Sequence, residues 1–396
     1  MRGILIRNAH VYTPTGDWLP GWLLTEGTKI KALGPGQPPE YPEEAGLRVI
    51  DAGGSALLPG LIDLHVHGAL GHEAMDASRE SLQVMARLFA QNGVTGFLPT
   101  TWTASREATL AVLHLVRDLE EPFDGGASIL GVHMEGPYFN PAKAGAQDPT
   151  QIRRAEKDEA LEFLDSGVVR LIAVAPEFPE NLWLVDECVR SGIRVAAGHT
   201  AATYEEMKTA VEHGVRQTTH TFNAMTGLGH REPGTVGAAL TMPELQCELI
   251  ADNVHVHPAA QKILVSVKGP QNVILITDAI RGAGLPEGSQ FQVDTRTAVV
   301  HNGAAYLADG TLAGSIQTLN NCLRNVIANT GLSLAEAWPM ASLNPARAIG
   351  LAASKGSLEA GKDADLVLLN EKYEALLTVV MGRIVWEAER LQELHH

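Results

Sequence analysis

Cysteine is scarce in this 396-residue chain: Cys188, Cys247 and Cys322 stand far apart and are odd in number. They make neither a disulfide framework nor a paired-cysteine site, so reduced thiols in a cytoplasmic protein are expected. Long apolar runs are missing as well. No window approaches the roughly 18 apolar residues of a membrane span, and the opening stretch MRGILIRNAH lacks the unbroken apolar core of a secretory signal. Positive charge is outnumbered, with 30 Lys and Arg against 46 Asp and Glu, which leaves a net charge of −16. Such a surface repels nucleic acid and anionic membrane, so neither is an expected partner, although one local arginine can still hold a small anion. No Gly-rich nucleotide fingerprint follows the first buried strand, which counts against a doubly wound sheet. Low-complexity tails and internal repeats are also absent, and the closing Leu394-His395-His396 carries no evident meaning.

What is present is a regular alternation. Apolar, β-rich runs occur at 61–66, 94–100, 128–134, 168–175, 193–198, 217–222, 247–251 and 273–277. Between them lie amphipathic stretches such as 78–92, 105–119, 157–166, 181–191 and 203–213. Eight buried strands separated by helices read as parallel βα units, and eight is the number that closes a (β/α)8 barrel of the TIM type. The ends differ: residues 1–59 and 349–396 carry short β patterns broken by turns, and two such flanks most simply pair into one small β-sandwich domain. The expected organisation is that domain plus a barrel over 60–348.

In a closed βα barrel the chemistry gathers at the C-terminal strand ends. Those ends are rich in metal ligands and acids. The first run closes in Gly60-Leu-Ile-Asp-Leu-His-Val-His-Gly68, where His65 and His67, two apart on a strand, face one point in space. The third closes in Glu135, the fifth in His199, the sixth in His220 and the eighth in Asp278, while the seventh runs into Ala251-Asp-Asn-Val-His255. Histidines with one carboxylate suit Zn²⁺, Fe²⁺ or Co²⁺, and a remaining aspartate suits a proton carrier beside an activated water. His133 shares strand parity with Glu135 but lies deeper and reads as packing. His257 ranks below His255 because it precedes a proline outside the strand. His10, His72, His114, His213, His230 and His301 read as solvated or capping residues of loops and helix faces.

The order of an HxH on strand one, Glu on three, His on five and six and Asp on eight resembles the amidohydrolase superfamily. More narrowly, HMEGPYFNPAKAGAQ, AAGHTAA, THTFNAM, GHREPGTVGA, ADNVHVHP, ITDAI, LAGS and SLNPARAIGL resemble the N-acetylglucosamine-6-phosphate deacetylases. The resemblance covers most of the chain, and GSLEAGKDADLVLL extends it into the C-terminal β segment. It implies metal-dependent removal of the acetyl group from a phosphorylated N-acetyl amino sugar. It implies Glu135, His199 and His220 as ligands of one divalent ion, His65 and His67 as ligands of a second where two are held, and Asp278 as the catalytic acid and base. Ala146, Gln147, Asn223, Ala224, Arg231, Asp252 and His255 would surround the sugar phosphate, with Leu312, Ala313 and Gly314 lying over it. In the family the arginine at this position can be supplied across a dimer interface, which would make a homodimer the working unit; whether Arg231 acts in its own or the partner subunit stays open. One position departs from the family pattern: Gln147 stands where some members carry a histidine that polarises the substrate carbonyl, and an amide donates a hydrogen bond but cannot become cationic.

Two other readings fit the same residues less well. A cyclic-amide hydrolase would bridge its metals with a modified lysine on strand four, but that strand reads Val168-Val-Arg-Leu-Ile-Ala-Val-Ala-Pro-Glu177 and has none. A non-catalytic scaffold would have lost ligands or the strand-eight aspartate, and all are present. The galactosamine epimer of the substrate stays open.

Overall fold

A computed structural model describes residues 3–41, 46–119, 123–293, 296–310, 312–389 and 391; the closing Leu394-His395-His396 lies outside the described residues. Eight parallel strands, Leu61–Val66, Val94–Thr101, Val132–Glu135, Val169–Val174, Arg194–Ala197, Gln217–Thr218, Gln246–Ile250 and Val273–Ile276, pair in chain order. They are strands one to eight below. Each is followed by a helix: Arg79–Gln91, Arg106–Arg117, Lys157–Asp165, Pro179–Arg190, Tyr204–His213, Gly234–Thr241, Pro258–Lys268 and Leu319–Thr330. Strand eight returns to strand one. The Asp278 N–H donates to His65 O (2.9 Å) and the Thr277 hydroxyl donates to Asp63 (2.6 Å), which brings the ends of the sheet together as a barrel.

The local reasons are the expected ones. Strands one and two are buried along their whole length, as parallel strands covered on both faces must be. Ile62, Leu64, Leu98, Leu171, Ile250, Ile274 and Ile276 cluster together, each worth about 1.5–3 kcal/mol of transfer free energy. The helices start on capping side chains: Ser78 and Ser105 accept from the third residue on, and Thr203 with Glu206 forms a capping box.

Both chain ends meet in one eight-stranded sheet. Gly3–Thr13, Gly16–Glu26, Lys29–Pro35, Leu47–Asp51 and Ala56–Pro59 are joined by Leu366–Leu369, Ala375–Val380 and Arg383–Glu387. The link is Ala56–Pro59, which pairs antiparallel with Leu366–Leu369 and then runs straight into strand one. At that joint Gly60 admits Thr95 so closely that a Cβ would lie 2.0 Å from its hydroxyl oxygen.

Several local expectations are corrected. The run at 128–134 is two pieces, Ser128–Ile129 and Val132–Glu135, broken around Gly131 at φ 135°. The run at 217–222 is a strand only at Gln217–Thr218, because His220 and Phe222 take left-handed backbone and turn the chain. His10 lies within a strand rather than a loop and bonds Asp17, and His301 ends a strand. A three-stranded antiparallel sheet, Gln290–Val293, Arg296–His301 and Ala304–Leu307, follows strand eight and was not foreseen. Its buried side chains pack with Trp102, Ile280 and Ala313, next to the mouth of the barrel.

Candidate metal centre and active site

The strand ends converge as expected. His65 and His67 are wholly buried with their Nε2 atoms 3.3 Å apart, although His67 stands one residue beyond its strand. Asp278 Oδ1 lies 3.4 Å from His65 Nε2 and 3.3 Å from His67 Nε2. Beside them Glu135 Oε1 lies 3.2 Å from His199 Nε2 and 3.0 Å from His220 Nε2, and those two nitrogens are 3.1 Å apart. Glu135 also bridges the halves, its oxygens standing 3.4 Å from His65 and 3.2 Å from His67. Two sets of donor atoms, His65–His67–Asp278 and Glu135–His199–His220, are thus each compact enough to hold an ion.

The backbone that aims these groups is unusual. His199 (φ 46°), His220 (φ 30°), Ala224 (φ 49°) and Asp278 (φ 50°) all stand in the left-handed region, where a non-glycine residue costs about 1–2 kcal/mol. Strand three hands Glu135 to Gly136 at φ 93°, where a Cβ would meet the Thr103 hydroxyl at 2.2 Å.

Surrounding bonds set the orientation of each ring. His199 Nδ1 meets the carbonyl of Lys143 at 2.8 Å; a carbonyl only accepts, so Nδ1 carries the proton and Nε2 presents its lone pair. Phe139 stacks on His199 with centroids 4.4 Å apart, and Trp102 stacks on His67 at 3.9 Å. Gln147 donates from Nε2 to Glu135 Oε2 at 2.6 Å and accepts the Thr103 N–H at 2.7 Å. His133 lies edge-on to His65 at 4.5 Å, its ring nitrogens without a hydrogen-bond partner among the described residues, and burial holds it well below the ordinary histidine range.

The charges balance within the cluster. Burial pushes the Glu135 carboxyl up, but His65, His199 and His220 reverse this and hold it well below the ordinary carboxylate range. Burial likewise raises Asp278, while His65 and His67 bring it below its usual value.

A cavity of about 200 Å³ opens over these groups, lined by Glu135, His199, His220 and Asp278 together with Trp102 and six of the residues expected around a substrate: Ala146, Gln147, Asn223, Ala224, His255 and Leu312. Gly314 also lines it, whereas Ala313 is buried and directs its N–H to Ala305 O. Asp252 stands behind His255, accepting its Nδ1–H at 2.6 Å. Burial lowers His255, but the bond to and charge of Asp252 outweigh this and raise it above the ordinary value. Arg231 does not line this cavity; it is exposed on the segment that leads into the helix Gly234–Thr241. Three larger clefts, of about 510, 540 and 350 Å³, contain neither donor set; the first and third are lined partly by terminal-sheet residues, and the second by residues 116–170 of the barrel with Lys355, Asp363 and Met381. Chemistry, not size, singles out the smaller one.

The sequence pattern of the amidohydrolase family matches residues 56–385. The chain belongs to the amidohydrolase family. This amidohydrolase is 40% identical over 340 residues to N-acetylglucosamine-6-phosphate deacetylase of Vibrio furnissii, covering 84% of this chain and 83% of that one. It is 37% identical over 330 residues to N-acetylgalactosamine-6-phosphate deacetylase of Escherichia coli O157:H7, covering 83% and 87%. A mutant of the N-acetyl-D-glucosamine-6-phosphate deacetylase of Mycobacterium smegmatis, solved in complex with N-acetyl-D-glucosamine-6-phosphate, superposes with a TM-score of 0.89 at 31% identity, covering 97% of this chain and 100% of that one.

Four residues of this amidohydrolase's site escaped the sequence reading: Trp102, Thr103, Phe139 and Glu248. Glu248 sits in Gln246-Cys-Glu-Leu-Ile250, a wholly buried acid inside an apolar strand, and that mismatch was the available signal. The other three carry no pattern of their own and matter only through what they touch.

Proposed function

We propose that this amidohydrolase hydrolyses the acetamide of N-acetyl-D-glucosamine 6-phosphate to D-glucosamine 6-phosphate and acetate, as a cytoplasmic enzyme of amino-sugar breakdown. What carries the reading is the two adjoining donor sets beneath a cavity lined by Glu135, His199, His220 and Asp278 together with seven of the ten residues expected around a phosphorylated sugar. The donor sets fit a metal. His199 and His220 bring nitrogen atoms 3.1 Å apart against one carboxylate oxygen, an arrangement of electron pairs that a shared cation reconciles. Glu135, His199 and His220 would hold one divalent transition ion (zinc, iron or cobalt), and His65, His67 and Asp278 a second in the same subunit. Bound there, such an ion would lower the pKa of water towards about 7 and polarise a carbonyl.

The chain's own residues do the rest. Asp278, held between His65 and His67 at the cavity wall, takes the proton from the attacking water and returns it to the departing sugar nitrogen. Acetate and the free amine result, with no other reactant needed. One amide proton of Gln147 is committed to Glu135, which leaves its second for the substrate carbonyl. His255, oriented by Asp252, faces the cavity as a phosphate ligand.

Arg231 supports a further reading. It is exposed and away from its own cavity, and Leu228 beside it is 64% exposed, as suits a segment that completes the site of a partner in a homodimer. Residues 1–59 and 349–396 are read as one small domain bracing the barrel of 60–348.

The test is acetate release from phosphorylated and unphosphorylated sugar. Asp278→Asn should lose about 10²–10⁴-fold in kcat. An unchanged kcat overturns the proton-transfer role, and equal kcat/KM for the two sugars overturns the phosphate site. The galactosamine epimer belongs in the same assay, since the Escherichia coli relative is named for it.

A further inference from the structure

One wholly buried carboxylate has no part in the chemistry above. Glu248 lies in strand seven at 0% exposure, and its two oxygens meet three donors. Oε2 accepts from His65 Nδ1 at 3.1 Å and from the backbone N–H of His220 at 3.0 Å. Oε1 accepts from Gln217 Nε2 at 2.6 Å. Gln217 in turn accepts from Arg194 Nε at 3.2 Å, and Arg194 also donates to Gln246 Oε1 at 2.6 Å and to Arg216 O at 2.7 Å. A hydrogen-bonded chain therefore runs from the start of strand five through strands six and seven to the end of strand one.

We propose that Glu248 is a positioning residue for the His65–His67–Asp278 metal position: it holds the His65 proton on Nδ1, leaves the Nε2 lone pair facing the site, and ties that ring to the turn bearing His220. The inference rests on reading those three residues as a second metal position.

The donor and acceptor count makes the requirement strict. An ionised carboxylate accepts at both oxygens, and all three of its contacts here are donors. His65 can donate at Nδ1 and still bind at Nε2 only in one tautomer. The His220 N–H is fixed by the backbone and cannot turn away. An amide in place of the carboxylate must aim its NH₂ at one side. Facing Oε2's partners, it pushes the His65 proton onto Nε2, the atom that confronts His67, Glu135 and Asp278. Facing Gln217, it forces that amide to flip and present its NH₂ to Arg194. Replacing a hydrogen-bond partner of a metal-ligating histidine typically costs 10–100-fold in metal affinity.

The experiment is equilibrium dialysis of wild type, Glu248→Gln, His65→Ala and the double variant against graded Zn²⁺, with bound zinc counted per subunit. Wild type should hold two ions. Glu248→Gln should bind the second about 10–100-fold more weakly while keeping the first, and in the His65→Ala background it should change nothing further. Unaltered second-ion affinity, equal weakening of both ions, or an undiminished effect without His65 overturns the positioning role alone. A wild type holding one ion, unaffected by His65→Ala, overturns the second-position reading and the inference with it. Should Glu248→Gln fail to fold, ¹⁵N-histidine NMR of zinc-loaded wild type decides: with His65 assigned by its loss in His65→Ala, a protonated Nδ1 supports the role and a bare Nδ1 overturns it.

Discussion

At the scale of single residues, His199, His220 and Asp278 share a left-handed backbone that none of them would choose in isolation. At about 1–2 kcal/mol each this strain persists because neighbouring groups hold the backbone: Asp278 N–H on His65 O and Ser315 N–H on Asp278 O, His220 N–H on the Glu248 carboxylate, and Asn140 N–H on His199 O. His255 offers a measurable consequence. Burial favours its neutral form, but Asp252 raises its pKa above the ordinary 6.5, so the imidazolium persists to higher pH. If the cation holds the phosphate, KM for the phosphorylated sugar should stay low below that raised pKa and climb as pH rises through it. Removing the negative charge in Asp252→Asn leaves burial as the main influence, so the climb should move to lower pH. A KM profile that does not shift in Asp252→Asn assigns the phosphate to other groups.

At the scale of elements, each turn after a strand decides where a donor side chain sits. Gly136 is the clearest case, since it closes strand three directly behind Glu135 and packs against Thr103, the residue whose N–H holds Gln147. Gly136→Ala would combine positive φ with a contact far inside van der Waals range, and is expected to destabilise by about 1–3 kcal/mol and to loosen the Glu135–Gln147 bond. Thermal unfolding together with zinc affinity checks this; an unchanged Tm with unchanged zinc binding contradicts it. The sheet inserted after strand eight touches the same region, because Arg296 donates to Ala146 O at 2.9 Å, on the loop that carries Gln147. It had no foothold in the sequence reading, since short alternating strands inside a βα alternation lack the long apolar runs that mark the barrel.

At the scale of the whole molecule, the question is where Arg231 acts. A protomer bearing Arg231→Ala keeps its own Asp278, and a protomer bearing Asp278→Asn keeps its own Arg231. If the arginine crosses a twofold interface, mixing the two inactive variants under subunit exchange should restore activity to about a quarter of wild type, since half the dimers are mixed and each has one complete site. No recovery, with exchange verified by light scattering and mass spectrometry, places Arg231 in its own subunit or removes it from the reaction.

The sequence by itself determined the alternation of eight buried runs with helices, and it marked Glu135, His199, His220, His65, His67 and Asp278 as strand-end chemistry. That information is local: burial on both faces writes itself as continuous apolar residues, and a polar residue ending such a run stands out against them. What only the tertiary structure decided lies between segments. It splits the run at 128–134 around Gly131, shortens strand six to leave His220 on a turn, and gathers Trp102, Phe139 and Glu248 around the imidazoles. It also closes the barrel through Asp63 and Thr277, and leaves Arg231 exposed and outside the lining of its own chain's cavity. These depend on which donors meet which acceptors across strands distant in the chain, and hydrogen bonds between residues 183 positions apart, as in His65 and Glu248, leave no periodicity for a sequence to display.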